Sequence, residues 1–112
     1  MPIAHCVLSP DVANPSNDST QLIEKWARYS GFDSSEMTIT VVQAADQAGK
    51  SYDATCTLTI PNLWSPKSVS VLQLGLATAL TEYFGIVPDK VIVMTSLIES
   101  CHVVEGGKEI NW

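Results

Sequence analysis

The chain is poor in basic residues, in histidine and in long apolar runs, and each shortage narrows what it can do. Six lysines and arginines stand against twelve acids, a net charge of −6 over 112 residues. That balance disfavours phosphate backbones and anionic bilayers, so neither a nucleic acid nor a membrane is expected as partner. No apolar stretch approaches the roughly 18 residues that span a bilayer, and His5, Ser9 and Asp11 break the amino terminus too early for a secretory signal. A soluble, cytoplasmic protein is the expectation. Cys6, Cys56 and Cys101 are an odd number and form no Cys-x-x-Cys, so they read as reduced and mostly buried. The two histidines lack metal-ligand spacing, and no metal is expected. The length suits one domain spanning residues 1–112, with ordinary globular composition at 46% apolar and 16% charged residues.

What the chain does have is a repeat. Tyr29-Ser30-Gly31-Phe32 precedes Tyr83-Phe84-Gly85-Ile86 by 54 residues, and at that offset Glu36 to Val41 overlays Lys90 to Thr95, while Pro2 to Leu8 overlays Cys56 to Asn62. Two pseudo-repeats follow, about 2–44 and 54–97, with a tail beyond.

Each repeat reads strand, helix, strand. Ala54, Cys56, Leu58 and Ile60 alternate with threonines, and Met37, Ile39 and Val41 do the same, the period of half-buried strands. The first helix is predicted to start at Asp18 as N-cap with Gln21 as its capping-box partner. Leu22, Ile23, Trp26 and Ala27 form its apolar face, and Gly31 ends it. The second has Ser65 as N-cap and Pro66 at its first position, a stripe from Val69 through Leu72, Leu76 and Leu80 to Tyr83, and Gly85 as terminator. Val71, Leu74, Ala77 and Ala79 widen that stripe, so this helix is expected to be buried on more than one side. Pro10 to Ser19 is a polar connection, 46–50 is a loop, and Gly106-Gly107 marks the turn of a short hairpin. Because strand-helix-strand crossovers are right-handed, the predicted fold is α+β: a four-stranded mixed sheet with two helices on one face. The threonine-bearing face is left for an oligomer to enclose.

Pro2 directly after Met1, opening the strand Pro-Ile-Ala-His, resembles the tautomerase superfamily. So does Tyr83-Phe84-Gly85-Ile86-Val87-Pro88-Asp89-Lys90-Val91, which is similar to macrophage migration inhibitory factor and its bacterial relatives. The resemblance covers the whole chain as a β-α-β-β-α-β plan. It implies a homotrimer, pockets around the amino-terminal proline near subunit boundaries, and a cofactor-independent tautomerase or isomerase. The chemistry is physically sound. A free α-amine titrates near ~8, and an apolar pocket lowers that value by disfavouring the charged form. The neutral secondary amine then takes a proton from carbon beside a carbonyl and returns it elsewhere, with no cofactor. The amine exists only once Met1 is removed.

Under this resemblance the substrate is a small keto/enol or unsaturated carboxylic acid, with Pro2 as base. Lys67, in the first turn of the second helix, is the candidate carboxylate binder, or else a solvated lysine at a helix end. Trp64 and Lys67 stand where the cis-3-chloroacrylic acid dehalogenase branch carries two arginines, and lysine lacks arginine's bidentate fork. Glu105 aligns with the acid that activates water in that branch, which opens a hydratase or dehalogenase-like variant; read alone, it is a surface carboxylate beside a glycine turn. Tyr29 falls near a substrate-binding histidine of that branch, and Met94 replaces its tyrosine. Tyr29 also repeats as Tyr83, which suggests packing. Against macrophage migration inhibitory factor, Phe32, Ile92 and Met94 replace pocket polar residues, so a non-catalytic trimeric binding or structural member is the alternative. His5, facing opposite Pro2, reads as a hydrogen-bonded structural residue, His102 as a loop histidine, and Glu24 and Arg28 as a surface pair.

Overall fold

The computed structural model describes residues 1–15 and 18–112; Ser16 and Asn17, within the polar connection, lie outside the described residues. In chain order the elements are β1 (Ile3–Leu8), α1 (Thr20–Ser30), β2 (Thr38–Gln43), β3 (Ala54–Pro61), α2 (Pro66–Phe84), β4 (Val91–Ile98), β5 (Val103–Glu105) and β6 (Lys108–Ile110). The first four strands by position form a sheet in the order β2-β1-β3-β4. Within each repeat the strands run parallel, β1 with β2 and β3 with β4, and the repeats join through antiparallel β1 and β3. This is the α+β fold the patterning predicts. The 54-residue shift carries the short 3-10 turn Ser34–Glu36 onto its counterpart Pro88–Lys90, and Gly31 onto Gly85.

Alternation decides which side of the sheet is covered. Ala4, Cys6 and Leu8 of β1 and Cys56, Leu58 and Ile60 of β3 face the helices and are fully or almost fully buried. Their neighbours in sequence point the other way, where Ile3 is 42% and Met94 50% exposed beside the row of threonines. Helix packing closes the covered side. The indole N–H of Trp26, wholly buried on α1, donates to the Leu72 carbonyl of α2 at 2.9 Å. Beside it Gly75 lets the helices approach so closely that an added Cβ would lie 3.2 Å from the Ser30 backbone nitrogen and 3.3 Å from the Tyr29 Cβ. Lys25 and Glu82 make an interhelical ion pair at 3.8 Å, rather than the intrahelical Glu24–Arg28 pair expected.

The termini of the second helix match their sequence cues. The Ser65 side chain accepts from the Ser68 backbone N–H at 3.2 Å, Pro66 occupies the first turn, and Gly85 ends the helix at φ 66°. The start of α1 differs by one residue. Ser19 is the N-cap and makes no side-chain cap bond, while Asp18 accepts from the Thr20 backbone N–H at 2.9 Å. Asp side chains readily bond the backbone two residues on. That shift places Gln21 at the second helical position, out of capping-box register. Burial of α2 on more than one side holds, since α1 and the sheet each cover one flank; only the third is left open, at Leu74, which is 66% exposed.

The tail is better ordered than its aperiodic sequence implies. Gly106 and Gly107, at φ 62° and 79°, form the two-residue turn of the β5-β6 hairpin, where both central residues need positive φ. Cys101 N–H donates to the Ile110 carbonyl at 3.0 Å. Trp112 is held at both ends of its residue: its backbone N–H donates to Ser100 Oγ and its indole N–H to Asn62 Oδ1, each at 2.8 Å. These contacts fold the hairpin back on the ends of β3 and β4.

The helix crossing supplies the first test. Gly75→Val forces a branched side chain into helix backbone and should destabilise the protein by roughly 1–3 kcal/mol. Leu74→Ala, one residue away but exposed, should stay within about 0.5 kcal/mol. Urea unfolding midpoints of the two variants check this.

Candidate functional site at the amino-terminal edge of the sheet

Topology brings distant parts of the chain to the start of β1. Its parallel partner β2 begins there, preceded by the turn that carries Glu36. Its antiparallel partner β3 ends there, and β4, parallel to β3, ends there too, leading into the hairpin. The Pro2 carbonyl accepts from the Thr38 backbone N–H at 3.0 Å, which fixes the entry of the strand. Pro2 itself is fully buried. Having no N–H, it leaves no donor unsatisfied at this position.

At this edge lies a cavity of about 190 Å³ holding Met1 among its lining residues. Its walls come from Ile3 of β1, Thr59 and Pro61 at the end of β3, Ile98 at the end of β4, and Val104 and Glu105 of the hairpin. The lining is largely apolar, with Glu105 its charged side chain. The terminal amine is pulled below its usual value of 8.0 chiefly by burial, against the carboxylates of Glu36 and Glu105, which favour its charged form. In the chain as it stands that amine is on Met1, and the Pro2 nitrogen is in the Met1–Pro2 peptide bond.

Of the residues singled out from sequence, Glu105 lines this cavity, while Pro2, between the lining residues Met1 and Ile3, is buried and does not line it. The others do not line this cavity. Lys67 is exposed on the first turn of α2. Trp64 tilts against Phe32, ring centroids 5.1 Å apart, and packs on the core from the helix side. Tyr29 sits on α1, where its hydroxyl bonds the Glu82 carboxylate of α2, holding the phenol above its ordinary pKa. That contact is interhelical; its repeat counterpart Tyr83 instead donates to the Asp18 carbonyl, ahead of α1, at 2.9 Å. Met94 lies on the open sheet face in the row of Thr57 and His5, one row inward from the Ile3–Thr59 row that borders the cavity. His5 faces opposite Pro2 as expected and is exposed on that open face, because odd positions of β1 point away from the helices. His102 is an exposed loop residue. Reading the sequence missed Ile98, Val104 and Glu36, since nothing in their local pattern says which distant strand end they meet.

Among the described residues no group of three or more His, Cys, Asp and Glu is placed to hold a metal. Nor, among those residues, is any helix long and apolar enough to cross a membrane.

No family model matches the chain, and no curated protein matches its sequence. Solved structures do match in fold. A wild-type fused 4-OT asymmetric trimer superposes with a TM-score of 0.77 at 14% identity, covering 96% of this chain and 94% of that one. N1, a member of the cis-3-chloroacrylic acid dehalogenase family, gives 0.71 at 10% identity, covering 96% and 82%. Macrophage migration inhibitory factor from Oncomelania hupensis gives 0.70 at 8% identity, covering 98% and 97%. The chain therefore has the fold of the tautomerase superfamily.

The amine gives the second test. With Met1 retained, the unfolded chain binds its terminal proton up to about pH 8 while the folded chain releases it sooner. Stability should therefore rise with pH between the folded value and 8, and level off above. Glu105→Gln removes one carboxylate that favours the charged amine, so the titration midpoint should fall further. Urea unfolding midpoints across pH check the first, and competitive acylation of the amine against pH checks the second.

Proposed function

We propose that this protein, once Met1 is removed, is a cofactor-independent tautomerase of the tautomerase superfamily. It acts on a small keto/enol or unsaturated carboxylic compound, with the secondary amine of Pro2 as general base. The observation that carries the reading is the cavity at the start of β1, into which both the amino terminus and Glu105 are brought. Removing Met1 vacates the volume its residue takes up and converts the Pro2 nitrogen from amide to amine. Apolar walls there favour the neutral, basic form, as they do for the amine of Met1. A carbonyl compound seated against the amine gives up a proton from the carbon next to its carbonyl. The resulting secondary ammonium returns the proton one position along. The Glu36 and Glu105 carboxylates stabilise that cation while it exists. Glu105 also supports a hydratase or dehalogenase-like variant, since a carboxylate lining the cavity can orient water there.

Association as a homotrimer belongs to the same proposal. The fused 4-OT match is a trimer, and the uncovered sheet face with Ile3, Val42 and Met94 at 41–50% exposure suits enclosure by neighbouring copies. Grip on a substrate carboxylate by Lys67, with Trp64, Tyr29 and Met94 as further contacts, requires such neighbours, since within one chain these residues stand apart from the cavity. That separation favours one second reading, a non-catalytic trimeric binding protein of the same fold. Cytoplasmic location is proposed with either.

Protein whose loss of Met1 has been verified by intact mass should ketonise phenylenolpyruvate, followed by ultraviolet absorbance. Pro2→Ala should lower the rate by about 10²-fold or more. Equal rates for the two proteins overturn the enzymatic reading, and quantitative retention of Met1 in untagged protein from cells favours the binding one.

A further inference from the structure

Two thiols outside the cavity face each other at the centre of the sheet. Cys6 of β1 and Cys56 of β3 are direct partners in the antiparallel register, and both are fully buried on the helix side. The ladder fixes which type of pair they form. Ser9 N–H donates to the Asp53 carbonyl at 2.9 Å, one step beyond the Leu8–Ala54 pair. Hydrogen-bonded and non-hydrogen-bonded pairs alternate along an antiparallel ladder. Ser9–Asp53 is hydrogen-bonded, so Leu8–Ala54 is not, Val7–Thr55 is, and Cys6–Cys56 is not. Non-hydrogen-bonded partners have Cα atoms about 4.5 Å apart and the closer side chains. That spacing falls inside the roughly 4.4–6.8 Å that a disulfide bridges.

We infer that Cys6 and Cys56 are an oxidisable dithiol, able to close into a disulfide that ties the two β-α-β units together across the central strands. The thiol–thiol hydrogen bond with Cys6, then burial, pushes the Cys56 thiol well up, which fits two sulfurs in contact. Attack needs a thiolate and access, so closure belongs to the folding chain, before the helices cover the pair. With glutathione disulfide as oxidant, one cysteine thiolate attacks a glutathione sulfur and expels glutathione thiolate. The second cysteine, losing its proton, attacks the protein sulfur of that mixed disulfide and expels the second. Two protein thiols are oxidised, and one glutathione disulfide is reduced to two glutathiones.

The test is oxidative refolding. Protein unfolded in guanidinium and refolded in reduced and oxidised glutathione should drop from three free thiols to one when counted in denaturant. Its mass should fall by two hydrogens, and peptide mapping should join β1 to β3. Cys101→Ser, which removes the exposed thiol, should drop from two to none and melt several degrees above the same variant refolded under reductant. Cys6 and Cys56 recovered as free thiols, or each carrying glutathione, overturns the inference. So does a link from either of them to Cys101.

Discussion

The contact on which the rest depends is the antiparallel pairing of β1 with β3. Each repeat alone is two parallel strands and one helix, too little sheet to bury an apolar helix stripe on both flanks. Pairing the repeats makes one four-stranded surface on which α1 and α2 lie side by side. Ala4–Leu58 and Cys6–Cys56 are then at once strand partners and the floor of the core. A slip of one residue in this register would turn that floor outward and send the threonines in, a change that buried apolar area strongly opposes.

The same pairing creates the cavity. In an antiparallel pair the start of one strand meets the end of the other, so the amino terminus is delivered to Pro61 and, through the parallel β4, to Ile98 and the hairpin. The hairpin stays there because Trp112 reaches Asn62 just past the end of β3. Removing that anchor would loosen the wall that carries Val104 and Glu105. Chemistry at the terminus is thus set by the part of the chain farthest from it in sequence.

Much of this was legible beforehand, and what was not has a physical reason. The period-two runs at 54–60 and 37–41 assign both strand and buried face, and Ser65, Pro66 and Gly85 mark a helix because each answers a local backbone need. Asp18 misled by one residue, since an aspartate satisfies a nearby N–H either as cap or in a turn and local sequence does not choose. The open flank of α2 at Leu74 is a tertiary fact: apolarity says that a residue prefers cover, not that cover is present. Pro2 and Glu105 were singled out through family resemblance, and topology is what brings Glu105 beside the amino terminus. The same resemblance does not bring Lys67, Tyr29 or Trp64 to the cavity: Tyr29 bonds Glu82 of α2, Trp64 packs against Phe32, and Lys67 is exposed on the first turn of α2.

Within the cavity two influences on the amine oppose one another, and their order matters for chemistry. Burial makes the neutral form easier to hold, and the carboxylates of Glu36 and Glu105 make the charged form easier to reach. The general base proposed at Pro2 would need both: deprotonated at rest, yet stabilised while it carries a proton. An apolar pocket alone would give a neutral amine too weak to accept that proton, and carboxylates alone would leave it protonated from the start. With burial the larger influence, the Met1 amine stays below its ordinary value despite the two acids. Charge on the terminus is balanced by side chains that the sheet register, rather than sequence proximity, puts beside it.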